Sequence, residues 1–261
     1  MSLMVDLNAD LGESFGTYKL GLDEELLNHI TSANIACGFH AGDYMVMQKT
    51  VRMAVSKNVA VGAHPGFPDL QGFGRRNMQL TPEEVRNLVI YQIGALQAFA
   101  KAEGTQLKHV KPHGALYNMA ATDYELAKAI AEAMKKVAPD AILLALANSD
   151  MVKAAQDVGI KVAQETFADR AYNPDGTLVP RSIPGAVIHD PTQATKRALK
   201  MVLEGKVTAI DGQEVPIVAD SICVHGDNPQ AVELASEIRK GLEQAGVKVI
   251  DLTCVFKAAY A

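Results

Sequence analysis

Short, nearly continuous apolar runs alternate with amphipathic helical patterns along this chain, and that alternation narrows its fold more than any other feature. The runs are Met4 to Asn8, Ala33 to Cys37, Val59 to Ala63, Lys108 to Lys111, Ala141 to Ala147, Lys161 to Glu165 and Ile217 to Val224. Strands that are apolar on both faces belong to parallel sheets covered by helices. Between them lie helix starts. Thr81-Pro-Glu-Glu84 has the makings of a capping box, Thr122-Asp-Tyr-Glu125 repeats it, and Asn228-Pro229 opens a helix striped by Ala231, Val232, Ala235, Ile238 and Leu242. A final strand is expected from Val247 to Leu252. Seven or eight such units in 261 residues favour a closed (β/α) barrel, with an open doubly wound sheet as the alternative.

The chain is 48% hydrophobic, enough for a core of barrel size, so one barrel domain over residues 1–261 is expected. Met1-Ser2-Leu3 ahead of Met4 reads as an expression remnant and stays outside the fold argument. The longest apolar stretch, Ala141 to Ala147, is far shorter than a membrane span, and no signal peptide is evident, so a soluble cytoplasmic protein is expected. Cys37, Cys223 and Cys254 are few and far apart, as in a reducing compartment, and make no zinc-ligand pair. A net charge of −5 with no basic run argues against a nucleic-acid groove, and a small-molecule substrate is expected.

Two segments break the rhythm. Pro65 to Leu80 is long and rich in Gly and Pro, as expected of a functional loop over the barrel mouth. Its Phe67, Leu70 and Phe73 are apolar residues expected to be exposed. Phe167 to Val218 holds a second loop, a helix from about Pro191 to Glu204, and a hairpin turning at Asp211-Gly212.

Chemistry gathers where the strands end. His40, His64, His113 and His225 each follow an apolar run, while Asp10, Glu165 and Asp227 sit at equivalent places. In a parallel barrel all strand C-termini open onto one face, so Asp10, His40, His64, Lys111, His113, Glu165 and His225 should line one pocket. Asp6, Asn8 and Asp10, at i, i+2 and i+4, point to one side of the first strand, with Glu13 close behind; a buried structural network is the competing reading. Lys111 can hold an anion, face a developing oxyanion, form a Schiff base if desolvated, or pair structurally with a carboxylate. Asp169 and Arg170 follow the sixth strand, and Arg170 suits a carboxylate or phosphate better than Arg75 or Arg76. Cys37 reads as packing, and His29, His109 and His189 receive no role. There is no P-loop, no dinucleotide fingerprint and no serine elbow, so any ATP needs another kind of site or another subunit.

Eight blocks in order, among them Val5-Asp-Leu-Asn-Ala-Asp-Leu-Gly-Glu-Ser-Phe-Gly16, Asn34-Ile-Ala-Cys-Gly-Phe-His-Ala-Gly-Asp43, Gly62-Ala-His-Pro-Gly-Phe-Pro-Asp69, Val110-Lys-Pro-His-Gly-Ala-Leu-Tyr-Asn118 and Glu165-Thr-Phe-Ala-Asp-Arg-Ala-Tyr172, resemble the LamB/YcsF family over nearly the whole chain. The resemblance implies a seven-stranded barrel of the glycoside hydrolase/deacetylase type. It also implies ATP-dependent opening of 5-oxoproline to L-glutamate, with two further subunits, B and C, similar to carboxylase-like and allophanate-hydrolase-like proteins. ATP, with Mg, is then expected through those subunits, and the Pro65–Leu80 loop with Phe67, Leu70 and Phe73 is the candidate for part of the surface that docks them. The corresponding roles are Asp10 or His64 as base, His113 or His225 as acid, and Lys111 and Arg170 as anion holders. Asp6, Asn8, Glu13, His40, Glu165, Asp169 and Asp227 would orient them and the substrate. A metal-dependent deacetylase or amidohydrolase on the same barrel, with Asp10, His40 and His64 as ligands, is the alternative. A non-catalytic carbohydrate-binding or regulatory barrel is a weaker one, since only 5% of residues are aromatic and none is Trp.

Overall fold

A computed structural model describes residues 3–225 and 230–260 of the chain. Seven parallel strands close on themselves: β1 (Met4–Leu11), β2 (Ser32–Ala36), β3 (Ala60–His64), β4 (His109–Val110), β5 (Ile142–Leu146), β6 (Val162–Phe167) and β9 (Ser221–Val224), with β9 pairing back onto β1. The open doubly wound sheet is thereby excluded. The hairpin between β6 and β9 is β7 (Lys206–Thr208) with β8 (Glu214–Pro216), turning at Gly212, whose φ of 90° suits a residue without Cβ.

Helices wrap the barrel: α1 (Asp23–Leu26), α2 (Tyr44–Ser56), α3 (Pro82–Ala102), α4 (Gly114–Ala120), α5 (Tyr124–Val137), α6 (Asp150–Val158), α7 (Pro191–Glu204), α8 (Ala231–Gln244) and α9 (Leu252–Tyr260). None of the described helices is long and apolar enough to cross a membrane. The capping box at Thr81 is complete, with Thr81 accepting from the Glu84 N–H and Glu84 accepting from the Thr81 N–H. The second box is displaced by one residue: Asp123, not Thr122, caps α5 by accepting from Leu126 N, because its carboxylate reaches the third amide of the turn. The expected final strand shrinks to β10 (Lys248–Val249), since Asp251 then accepts from Thr253 N and starts α9. The Asn228-Pro229 helix start lies outside the described residues. In α8, Leu234 joins Ala231, Ala235, Ile238 and Leu242 on the buried face, while Val232 is half-buried.

Outward residues such as Val5, Leu7 and Ala9 pack against the helices in the main apolar core. The lumen is different: inward positions carry Asp6, Asn8 and Asp10 from β1, Asn34 from β2, His109 from β4, Glu165 from β6, and Ser221 with Cys223 from β9, all buried. Register stacks them, with Asp10 opposite Asn34, Asn34 opposite Gly62, and Gly62 opposite His109. A Cβ on Gly62 would come within 2.0 Å of the His109 ring, so this glycine is the space the imidazole occupies.

Candidate active site

The strand C-termini open into a cavity of about 630 Å³ lined by Asp10, His64, Lys111, His113 and His225, with Arg75, Arg170 and Arg181 around it. His40 and Glu165 are buried just behind this wall and do not line it. Asp6 lies deepest: its carboxylate accepts from Thr31 Oγ1 at 2.8 Å, Ser32 Oγ at 2.6 Å and the Ser221 hydroxyl. That is the buried network anticipated as the competing reading, and Asp6 does not reach the cavity. Asn8, one layer up, donates to Glu165 and Ser221 and also stays beneath the mouth. Asp227 lies outside the described residues.

Lys111 is the hub. Its ammonium lies 3.0 Å from Asp10, 2.9 Å from Glu165 and 3.0 Å from the Cys223 sulfur. Burial works against its charge, but Asp10, Cys223 and Glu165 overcome that, so it is held well above the usual lysine range. Burial likewise acts to raise Asp10, and His64 with Lys111 outweighs it, leaving this carboxyl well below the ordinary value. Tyr117 donates to Glu165 at 2.7 Å, and burial together with that carboxylate pushes its phenol up. Asn8, Lys111 and Tyr117 thus all present donors to Glu165.

A second pair lies beside the first, with His225 within 4.8 Å of Asp10. His225 Nδ1 is 2.8 Å from Asp169, and its ring stacks on Phe167 at 5.5 Å between centroids. Burial opposes ionisation of Asp169, yet His225 and Arg181 bring it below its ordinary value, so it can orient the imidazole as an anion. Arg170, expected to hold an anion, spends donors on the Val179 and Ala186 carbonyls and thereby braces the second loop, although it still borders the cavity. Arg197 of α7 donates to the Ala168 and Arg170 carbonyls from behind.

The Pro65–Leu80 loop does cover the mouth, but as packing more than as exposed surface. Phe67 is fully buried, Phe73 sits edge-on to His40 and His113, and of the three apolar candidates only Leu70 is exposed. Gln92 of α3 grips Gly66 through both amide atoms, and Ala115 N donates to Gly74 O. Arg76 pairs with Asp69 inside the loop, while Arg75 reaches the cavity.

Ligand atoms of Glu13, His40, His64 and His113 all fall within 4.8 Å of one another, so this group could hold a metal ion. It departs from the expected Asp10–His40–His64 set because Glu13 supplies the carboxylate nearest His40, at 3.4 Å, whereas Asp10 is engaged by Lys111 and Asn34. Asp10, Cys223 and His225 also converge, but the Lys111 ammonium already sits on two of them and repels a cation. Sequence reading passed over three residues. His109 shares its face with Lys111 at i, i+2, a signal that was present. Cys223 likewise alternates into the lumen, while Arg181 sits in a loop with no periodicity to reveal it.

Known proteins share this sequence or this architecture. The chain is 83% identical over 261 residues to the A subunit of 5-oxoprolinase from Coprothermobacter proteolyticus, covering 100% of both. The crystal structure of a lactam utilization protein from Thermus thermophilus superposes with a TM-score of 0.90 at 54% identity, covering 95% of this chain and 99% of that one. A family 4 carbohydrate esterase from Streptomyces lividans in complex with acetate shares the fold alone, with a TM-score of 0.51 at 12% identity, covering 94% of this chain and 91% of that one. With residues 5–257 matching its pattern, the chain belongs to the LamB/YcsF family.

Proposed function

We propose that this protein is the barrel component of an ATP-dependent 5-oxoprolinase, opening the lactam of 5-oxoproline to L-glutamate together with two partner subunits. The observation that carries the reading is the convergence around one cavity of the buried cation Lys111, the loop arginines, and two imidazole–carboxylate pairs. Relatives named as the A subunit of 5-oxoprolinase and as a lactam utilization protein support the substrate class.

A five-membered lactam is a poor electrophile, and transferring a phosphoryl group to its carbonyl oxygen creates a leaving group. The described residues contain no phosphate-cradling loop of the P-loop type, so this step is assigned to a partner subunit. In the barrel, Asp10, 3.3 Å from His64, holds and deprotonates the attacking water. Lys111 faces the developing oxyanion. His225, oriented by Asp169, returns a proton to the ring nitrogen as the C–N bond breaks, leaving an acyl phosphate that a second water cleaves to glutamate and inorganic phosphate. Arg75 and Arg181 face the substrate carboxylate or the phosphoryl group.

The test is 5-oxoproline-dependent ATP hydrolysis and glutamate release by the chain reconstituted with its two partners. His225→Gln should cut turnover by roughly 10²–10⁴; a loss below threefold removes His225 from the reaction. The reading of a metal-dependent deacetylase is favoured by one observation, the Glu13–His40–His64–His113 group. It predicts chelator-sensitive amide hydrolysis that needs neither ATP nor partners.

A further inference from the structure

The hydrogen bonds around His64 and His113 leave one positive charge unaccounted for. His64 Nδ1 lies 2.7 Å from the Lys111 carbonyl, and His113 Nε2 lies 2.8 Å from the Phe73 carbonyl. A carbonyl oxygen only accepts, so each of these ring nitrogens carries the proton. The other two nitrogens, His64 Nε2 and His113 Nδ1, then present lone pairs to each other at 2.9 Å. Two neutral acceptors at that distance repel unless a cation lies at their meeting point.

The surroundings point the same way. Glu13 Oε1 is 3.7 Å from His113 Nδ1 and 3.4 Å from His40 Nε2, and Asp10 Oδ2 is 3.3 Å from His64 Nε2. His40 is 1% exposed, and neither of its ring nitrogens has a hydrogen-bond partner, a costly arrangement for a buried polar ring. Two buried carboxylates, Asp10 and Glu165, already share the Lys111 ammonium, so Lys111 leaves negative charge beside the histidines. Backbone carbonyls that fix the tautomer and aim of an imidazole are the usual outer support of a histidine–metal bond. Glycines leave room for the group: a Cβ on Gly66 would meet His40 Nδ1 at 2.7 Å, and one on Gly74 the His40 Cβ at 2.6 Å.

We infer that Glu13, His40, His64 and His113 form a binding site for a divalent transition-metal cation, with the facing nitrogens of His64 and His113 at its centre. Imidazole and carboxylate donors without thiolate suit zinc, cobalt or manganese better than a soft monovalent ion. The inference stands apart from the 5-oxoproline reading, since it follows from the donor set whatever the substrate.

The experiment uses the full chain, dialysed against EDTA, freed of chelator, and loaded with zinc or cobalt(II). Metal content after gel filtration, the cobalt absorption spectrum and melting temperature are read, with no activity required. About one ion per chain, a cobalt spectrum of nitrogen and oxygen ligands, and at least tenfold weaker binding in Glu13→Gln and His113→Gln are the expected results. The exposed His189 serves as control, and His189→Gln should bind as the parent does. Metal that fails to stay with the parent, or that both variants hold as tightly, overturns the inference. Should His113→Gln not fold, Glu13→Gln and His40→Gln carry the comparison. Nitrogen-15 spectra of the parent imidazoles give an independent reading: a proton shared by His64 and His113 that added metal does not displace also overturns it.

Discussion

Lys111 and Asp6 show how differently buried charge can be arranged within one lumen. Lys111 is flanked by Asp10 and Glu165, so Lys111→Ala leaves both carboxylates buried without their cation. It should cost about 3–5 kcal/mol by urea denaturation as well as abolishing turnover. A stability loss under about 1 kcal/mol would mean that the ammonium serves chemistry alone. Asp6 has hydroxyl partners and, among the described residues, no cation pair, and burial, outweighing the Ser221, Ser32 and Thr31 hydrogen bonds, raises it from 3.8 to about 6. An acid raised on folding is favoured in its protonated form. Its contribution is therefore whole below the unfolded pKa and is lost as pH climbs through the folded one. About two pKa units amount to roughly 3 kcal/mol, so Asp6→Asn should gain stability over the parent by that order between about pH 4 and pH 7. Parallel pH profiles for the two proteins would refute the assignment.

Strands and loops position these side chains through local features with separate costs. The Thr81 cap satisfies two amide ends of α3, and Thr81→Ala should cost about 1 kcal/mol, read as a lowered melting temperature with the reaction unaffected. Gly62→Ala tests the lumen directly, since its Cβ would collide with the His109 ring, and both lie in strands that cannot part without opening the barrel. A loss of at least about 2 kcal/mol is expected from overpacking; an unchanged denaturation midpoint would show that His109 has somewhere else to go. The loop over the mouth is held by Gln92, Gly74 and Phe73, so it behaves as part of the wall around the histidines, and Leu70 is what it leaves for a partner.

At the scale of the molecule, the chain alone should release no glutamate from 5-oxoproline and ATP, whereas the reconstituted assembly should. Partner-free turnover equal to that of the assembly would place ATP use in this barrel and end the proposed division of labour. The barrel itself is what makes the site possible. Seven parallel strands bring residues from Asp10 to His225 to one opening, and α9 follows β10 at the opposite end, where Leu252 packs against Ile142, Leu144 and Ala163.

Much of this was legible along the chain, because periodicity and caps are local. Apolar runs marked every barrel strand, Thr81 to Glu84 marked the start of α3, and strand ends marked Asp10, His64, Lys111, His113 and His225 as cavity-lining groups. Residue order could not say how deep each group lies. Asp6, Asn8 and Asp10 share one alternating pattern, yet only Asp10 reaches the cavity, because strand register places the other two in lower layers. Nor could it show that Arg170 is tied to carbonyls, that Phe67 is buried, or that Glu13 stands closer to His40 than Asp10's partners allow. Those depend on contacts between residues from 9 to 101 positions apart. Barrel closure and loop packing decide such contacts, and alternation along a strand carries no record of them.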